Sequence, residues 1–446
     1  MNQLPILGSD PLAAPYVAYS YSYPHKSAYG PLDPPVSLDE VWQRENRQSL
    51  FLYTHLPFCE MRCGFCNLFA KAGSDSAAID TYLDSIERQT RRLSEATSGK
   101  RTVTRFALGG GTPTVLSVAQ LERLFDLVSQ SFDFDPANVP TSIETSPKTA
   151  TQEHLKLLHE RGIQRVSIGV QSFLEEEAHG IGRPQKATEV REALARIKAF
   201  GFPILNIDLI YGQPNQTLET WNHSLEAALQ YEPEEIFLYP LYVRPQTGLG
   251  RRARTLESSV LQPIDLYRAG RDKLKAAGYR QLSMRCFTRD LSQVDTGPAY
   301  CCQSDGMLGL GAGARSYTSR LHYSSRFAVN SSGVQSILEE WTQRSEETFG
   351  YADWGIVLND EERRRRFIIQ SLLHYTGLSR SSFARTFHSQ PEDTIPELAG
   401  MTETGLIEEA DGTLRLTEKG VSLSDAIGPA LYSETSRARL REFSAR

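Results

Sequence analysis

Between residues 49 and 245, short apolar runs alternate with stretches whose apolar residues recur every three or four positions. The runs Leu50–His55, Val103–Leu108, Thr141–Glu144, Gln164–Val170, Ile204–Ile210 and Glu235–Leu241 predict strands. The intervening patterns near 76–96, 117–131, 149–161, 187–200 and 217–230 predict amphipathic helices. Strand–helix alternation of this kind implies right-handed crossovers and a parallel sheet, hence an α/β domain. The regions on either side break the pattern. Residues 1–48 hold Pro5, Pro11, Pro15, Pro24, Pro31, Pro34 and Pro35, which interrupt any helix and predict an arm. Tyrosines between Tyr16 and Tyr29 supply rings that can pack this arm onto the main domain or, with His25 and Lys26, close a pocket. Residues 263–277 read as helix and Tyr279–Cys286 as extended. From Asp360 a helix is expected to run to His374, with Arg363–Arg366 on its solvated side. Short helices near 380–388 and 392–405 follow, then a hairpin turning at Asp411 and Gly412. Helix–helix–hairpin order is that of a winged helix. The expected units are therefore 1–48, 49–350 and 351–446.

Composition narrows the class of function. A net charge of −6 over 446 residues argues against nucleic-acid binding by bulk electrostatics, and the acid-rich hairpin around Glu408 and Glu409 argues against a DNA-reading wing. No apolar run approaches membrane-spanning length, and the N-terminus lacks a basic region followed by an apolar stretch. Cys286, Cys301 and Cys302 are scattered and do not form a disulfide framework, so a reducing, cytoplasmic location is expected.

The chemistry concentrates at residues 53–69. Cys59, Cys63 and Cys66 are spaced C-x3-C-x2-C. Three thiolates this close in sequence can converge on one metal centre. An iron–sulfur cube normally takes four cysteines, so three leave one iron open for chemistry. The alternative is zinc, for which His55 is the nearest fourth ligand, although zinc sites favour C-x2-C pairs.

The spacing resembles the signature of the radical S-adenosylmethionine (SAM) superfamily. With Tyr53, Pro57, Phe58 and Phe65 it is similar, more narrowly, to the oxygen-independent coproporphyrinogen oxidase family. That resemblance covers most of residues 45–420. It implies an open (β/α)6 barrel with an N-terminal arm and a C-terminal winged-helix-like domain over its mouth. It also implies a [4Fe–4S] cluster on Cys59, Cys63 and Cys66, and SAM on the open iron. Tyr53 matches a residue near that SAM, and Phe65 a ring flanking cluster and adenine. Gly110, in the glycine run after the second strand, matches the contact to the SAM amino group, and Glu144 the contact to the ribose. Gly111, Thr112, Gln171, Arg183 and Asp208 match contacts to a second SAM. Tyr242 falls where that second site has a small residue. Gly309–Gly311 resembles the segment closing over the first SAM, and Arg315 stands at a position that varies between branches.

The implied activity is reductive cleavage of SAM to a 5'-deoxyadenosyl radical that abstracts hydrogen from a small organic substrate. The electron would come from a donor such as flavodoxin or ferredoxin. Three outcomes are compatible with the resemblance: methyl or methylene transfer from a second SAM, oxidative decarboxylation of coproporphyrinogen, or haem carriage without catalysis. Carbon transfer is the expectation here, because Tyr19 replaces the arm arginine of the oxidases while the SAM motifs are kept. The arm is long, whereas the haem-carrying branch resembles a version with a short N-terminus. Tyr23 and Cys302 are the candidate catalytic side chains.

Overall fold

The computed structural model describes Tyr16, Ser20 and residues 22–252, 262–289 and 306–445. Cys301 and Cys302 lie outside the described residues.

The six expected strands form as β2 (Leu50–Leu56), β3 (Val103–Gly110), β4 (Thr141–Thr145), β5 (Arg165–Gln171), β6 (Ile204–Tyr211) and β7 (Glu235–Pro240). They pair in sequence order, every neighbour parallel. Helices Ser76–Ala96, Val118–Phe132, Gln152–Glu160, Ala187–Phe200 and Leu218–Leu229 cross between them. Each of these starts where a side chain satisfies a free amide or a lysine precedes the first turn. Asp75 accepts from Ala78 N–H at 2.8 Å, and Ser117 with Gln120 makes a reciprocal capping box.

Alternation along the strands decides which residues meet the helices. Leu108, Ile143, Val166, Ile168, Leu205, Ile207, Ile236 and Leu238 are buried in one large core. The residues between them face the other way, into the barrel, because successive strand side chains point to opposite faces. In-register neighbours make rows of that lining: Glu144, Ser167, Asn206 and Glu235 form one, and Gly169, Asp208 and Phe237 the next. The barrel is therefore apolar on its helix side and polar within.

The sheet does not close. Beyond β7 it continues antiparallel through β9 (Cys286–Thr288) to β8 (Arg280–Gln281). Beyond β2 it continues through β10 (Met307–Leu310), parallel, and then antiparallel through β11 (Arg315–Tyr317), β12 (Leu321–Ser324), β13 (Tyr351–Val357) and β1 (Gly30–Ser37). An α/β fold with an open parallel barrel is thus present. Part of the arm forms the outermost strand of the same sheet, and residues 351–357 also lie in it.

Helices Asp360–Leu372, Arg380–Phe387 and Glu397–Glu403, with a three-stranded antiparallel sheet of 378–379, 413–416 and 407–410, make the winged-helix-like unit. Its own core contains Ile368, Ile369, Phe383, Leu398 and Leu414. Two expectations fail here. The stretch 392–405 is not one helix: Pro396 splits it into a turn at Pro391–Asp393 and a helix from Glu397, since proline disfavours helical backbone in the residue before it. Nor are Arg363–Arg366 all solvated. Four consecutive residues span more than a full helical turn, so one must face inward. Arg366 does, 7% exposed, with its guanidinium 5.8 Å from the Tyr317 ring centroid.

Candidate active site at the barrel mouth

The cysteine loop leaves the C-terminal end of β2 and folds over the barrel mouth. Cys66 N–H donates to the Cys63 carbonyl (3.1 Å), which tightens the loop, and Lys71 N–H returns to the Pro57 carbonyl at 2.6 Å. Cys59, Cys63 and Cys66 are free thiols, partly exposed, and Cys63 and Cys66 both act electrostatically on Cys59. The end of β3 packs directly beneath. Gly111 N–H donates to the Leu56 carbonyl and Thr112 N–H to the Phe58 carbonyl. A side chain at Gly111 would bring its Cβ within 2.4 Å of the Phe58 carbonyl and 2.8 Å of Cys59 Sγ. Glycine is required there by contact with the cysteine loop itself. Two donors already point at the sulfurs: Thr112 Oγ1 at 3.7 Å from Cys59 Sγ, and Arg183 Nη1 at 3.2 Å from Cys63 Sγ.

These residues fit an iron–sulfur cluster. Burial pushes the Cys59 thiol up to about 12 and raises that of Cys66, so binding iron would displace protons. Among the described residues no group of three or more His, Cys, Asp or Glu side chains closes on a point that would hold one metal ion. A cube places each thiolate on a different iron, so such convergence is not needed. His55, the candidate fourth zinc ligand, is engaged elsewhere. Its Nδ1 meets Tyr53 Oη at 3.2 Å and its Nε2 the Phe69 carbonyl at 3.0 Å. Burial lowers its pKa to about 4, and its ring packs against Gly110 and Gly313, where a Cβ would collide.

A model of the Radical SAM superfamily matches residues 53–228, the segment that carries the cysteine loop and β2 to β6. Heme chaperone HemW of Bacillus subtilis (strain 168) is 28% identical over 386 residues, spanning 86% of this chain and 99% of that protein. Oxygen-independent coproporphyrinogen III oxidase of Escherichia coli (strain K12) is 27% identical over 457 residues, spanning 96% of each. The solved structure of coproporphyrinogen III oxidase (HemN) from Escherichia coli, described as a radical SAM enzyme, superposes with a TM-score of 0.77 at 27% identity, covering 88% of this chain and 92% of that one. Residues 53–228 thus carry a radical SAM domain, and over most of its length the chain is similar to HemN and HemW. A radical SAM domain implies a [4Fe–4S] cluster and SAM.

The remaining residues expected at the site lie on or beside the barrel strands. Gly110, at φ +115°, donates its N–H to Glu144 Oε2 at 3.1 Å. Glu144 lies on the barrel lining and keeps access to solvent, and the barrel walls desolvate it in part. That desolvation, with Asp208 adding repulsion, pushes its carboxyl up to about 7. Desolvation likewise pushes Asp208 up to about 6, against a hydrogen bond from Asn206. Gln171 takes φ +69° at a bulge ending β5. Arg183 reaches from the Gly169 carbonyl (2.7 Å) to Cys63. Phe65 packs beside Ile181, Ile210 and Leu249. Tyr53 packs with Phe51, Ala107, Met307 and Tyr317. Arg315 Nη1 donates to Ser22 of the arm at 3.3 Å.

Two candidates are engaged by residues of the C-terminal unit. Tyr23 is in the core of the winged-helix-like unit, where its phenol donates to Glu362 and accepts from Ser433 N–H. It anchors the arm there. Tyr242 is tied by its hydroxyl to Arg285 and Asp425, with the Arg244 guanidinium 4.9 Å from its ring centroid. Arg285 and Asp425 form an ion pair at 2.6 Å, their side chains 2% and 3% exposed. Neither carried a signal in the sequence: Asp425 is 140 residues away on another unit. A cavity of about 40 Å³ is lined by Gln89, Gly309, Gly311, Trp341 and Arg344 and by no cysteine.

Proposed function

We propose that this chain is a radical SAM enzyme that abstracts hydrogen from an organic substrate enclosed between the barrel mouth, the arm and the winged-helix-like unit. The observation that carries this reading is the contact of Gly111 and Thr112 with Phe58 and Cys59, which presses the glycine-rich end of β3 against the cysteine loop. A [4Fe–4S] cluster held there would supply the one-electron chemistry that cleaves the carbon–sulfur bond of SAM to give methionine and a 5'-deoxyadenosyl radical. The chain's own residues do the rest. Cys59, Cys63 and Cys66 hold the cluster and leave one iron for SAM. Gly110, whose N–H is held by Glu144, would offer its carbonyl to the SAM amino group, and Glu144 its carboxylate to the ribose hydroxyls. Phe65 and Tyr53 supply ring surfaces. Gln171, Arg183 and Asp208 line the other side of the mouth, where a second SAM or the substrate would lie. The arm and the C-terminal unit exclude water, which protects a radical from side reactions.

A second reading concerns the substrate. Arg244 and Arg315 both act on His25 at the mouth, together with Lys26, and these cations favour a carboxylate-bearing substrate such as coproporphyrinogen. They would stand in for the arginine that Tyr19 replaces. The test is anaerobic reconstitution with iron and sulfide, then SAM, a reductant and coproporphyrinogen. Formation of 5'-deoxyadenosine, lost in Cys63→Ala, is the expected result, and its absence from the fully reconstituted chain defeats the proposal. Conversion to protoporphyrinogen selects the decarboxylase reading. S-adenosylhomocysteine as a co-product selects carbon transfer instead.

A further inference from the structure

The segment that follows β5 braces the cysteine loop at Cys63. The short helix Glu175–Gly180 is followed by Gly182, at φ +69°, where the chain turns. Gly64 N–H, next to Cys63, donates to the Gly182 carbonyl at 3.1 Å. A Cβ on Gly64 would stand 2.7 Å from the Ile181 carbonyl, and one on Gly182 would stand 2.9 Å from Gly64 Cα. The two segments meet backbone to backbone, an approach that glycine alone permits. That contact delivers the next residue, Arg183, to Cys63.

Each nitrogen of the Arg183 guanidinium donates to a different residue. Nη1 donates to Cys63 Sγ at 3.2 Å, Nη2 to the Gly169 carbonyl at 2.7 Å, and Nε to Gln185 Oε1 at 2.9 Å. Gln185 is 9% exposed, and its amide nitrogen donates in turn to the Val170 carbonyl at 2.6 Å and the Ser172 carbonyl at 3.2 Å. Those two carbonyls flank Gln171, at the bulge that ends β5. Gln185 therefore ties the arginine to a strand end and is itself fixed at both ends of its amide. A planar fork held at Nε and Nη2 leaves Nη1 one direction, and that direction is the sulfur. A guanidinium is always charged in proteins. Reduction of a thiolate-bound cluster adds negative charge, so a cationic donor on a ligand sulfur favours the reduced form. Hydrogen bonds to sulfur are among the levers that set cluster potentials.

We propose that Gln185 is a positioning residue that holds Arg183 against the Cys63 sulfur, and that this donor raises the reduction potential of the cluster. The C-x3-C-x2-C spacing does not supply the donor. It comes from a residue 120 positions further along the chain. The inference rests on the cluster assignment above.

The test is an EPR-monitored redox titration of the reconstituted full-length chain without SAM or substrate, comparing wild type, Arg183→Met, Gln185→Met and the double variant. Iron and sulfide per chain are measured in each. Arg183→Met is expected to make the midpoint more negative, lowering the reduced-to-oxidised ratio about tenfold at a fixed poise, or about 59 mV for one electron. Gln185→Met shifts it the same way by about threefold, because a loosened arginine meets the sulfur only part of the time. The double variant matches Arg183→Met alone, since Gln185 acts through the arginine. At full cluster occupancy, an unchanged potential in either single variant overturns the proposal. So do additive shifts in the double variant, which would show that Gln185 acts by another route. Gln185→Leu provides the same comparison if the methionine variant does not fold. A wild-type chain that assembles no cluster defeats the functional reading first, and iron analysis separates that outcome from a failure of Gln185.

Discussion

Glu144 keeps access to solvent, yet desolvation by the barrel walls, with repulsion from Asp208, pushes its carboxyl up to about 7. Asp208, two strands away on the lining, is pushed up to about 6 for the same reason. Both folded-state values lie above those of unfolded carboxyls, near 4. The stability they contribute is therefore complete below about pH 4 and is lost as pH rises through 6 to 7. In SAM-free protein the melting temperature should fall between pH 5 and pH 8 beyond what Glu144→Gln shows. Equal pH profiles for the two proteins would mean that Glu144 does not titrate in this window. Strand position explains why Glu144 could be singled out from sequence: a carboxylate at a parallel strand end has few uses in packing. Its pairing with Asp208 could not be read, because that depends on register between strands.

At the scale of elements, the helices and strands of the barrel match their sequence patterns to within a few residues, since amphipathic period and capping are local properties. The arm behaves differently. Its tyrosines were legible as packing rings but not their destinations. Tyr23 inserts between Glu362 and Tyr432, its ring centroid 5.0 Å from that of Tyr432, and Ser433 Oγ and Tyr23 both donate to Glu362. Tyr23→Phe removes one donor from a buried carboxylate, a loss of about 1–3 kcal/mol. Faster proteolytic cleavage within residues 1–30, with the remainder of the chain intact, is the expected readout. An unchanged cleavage rate would mean that the arm is held by its β1 pairing alone.

For the whole molecule, the C-terminal unit is fastened to the barrel by the Tyr242, Arg285 and Asp425 cluster. Desolvation raises the Asp425 carboxyl and Arg285 opposes that shift, so the pair depends on both members. Asp425→Ala leaves a buried guanidinium uncompensated and should cost about 3–5 kcal/mol in denaturant unfolding, whereas Arg285→Met with Asp425→Leu should cost less. A double variant as unstable as the single one would show that the ion pair itself, rather than the stranded charge, carries the stability.

The sequence by itself determined what is local or periodic: the parallel α/β barrel, the winged-helix order, the cysteine spacing and the glycine run after β3. Those follow from the chain's apolar rhythm and from neighbouring residues that share one loop. Only the tertiary structure decided that Tyr23 is an anchor, that Tyr242 answers to Arg285 and Asp425, and that Arg366 is buried. Each of those depends on residues tens to hundreds of positions apart meeting in a space from which water is displaced, and no spacing along the chain encodes that meeting.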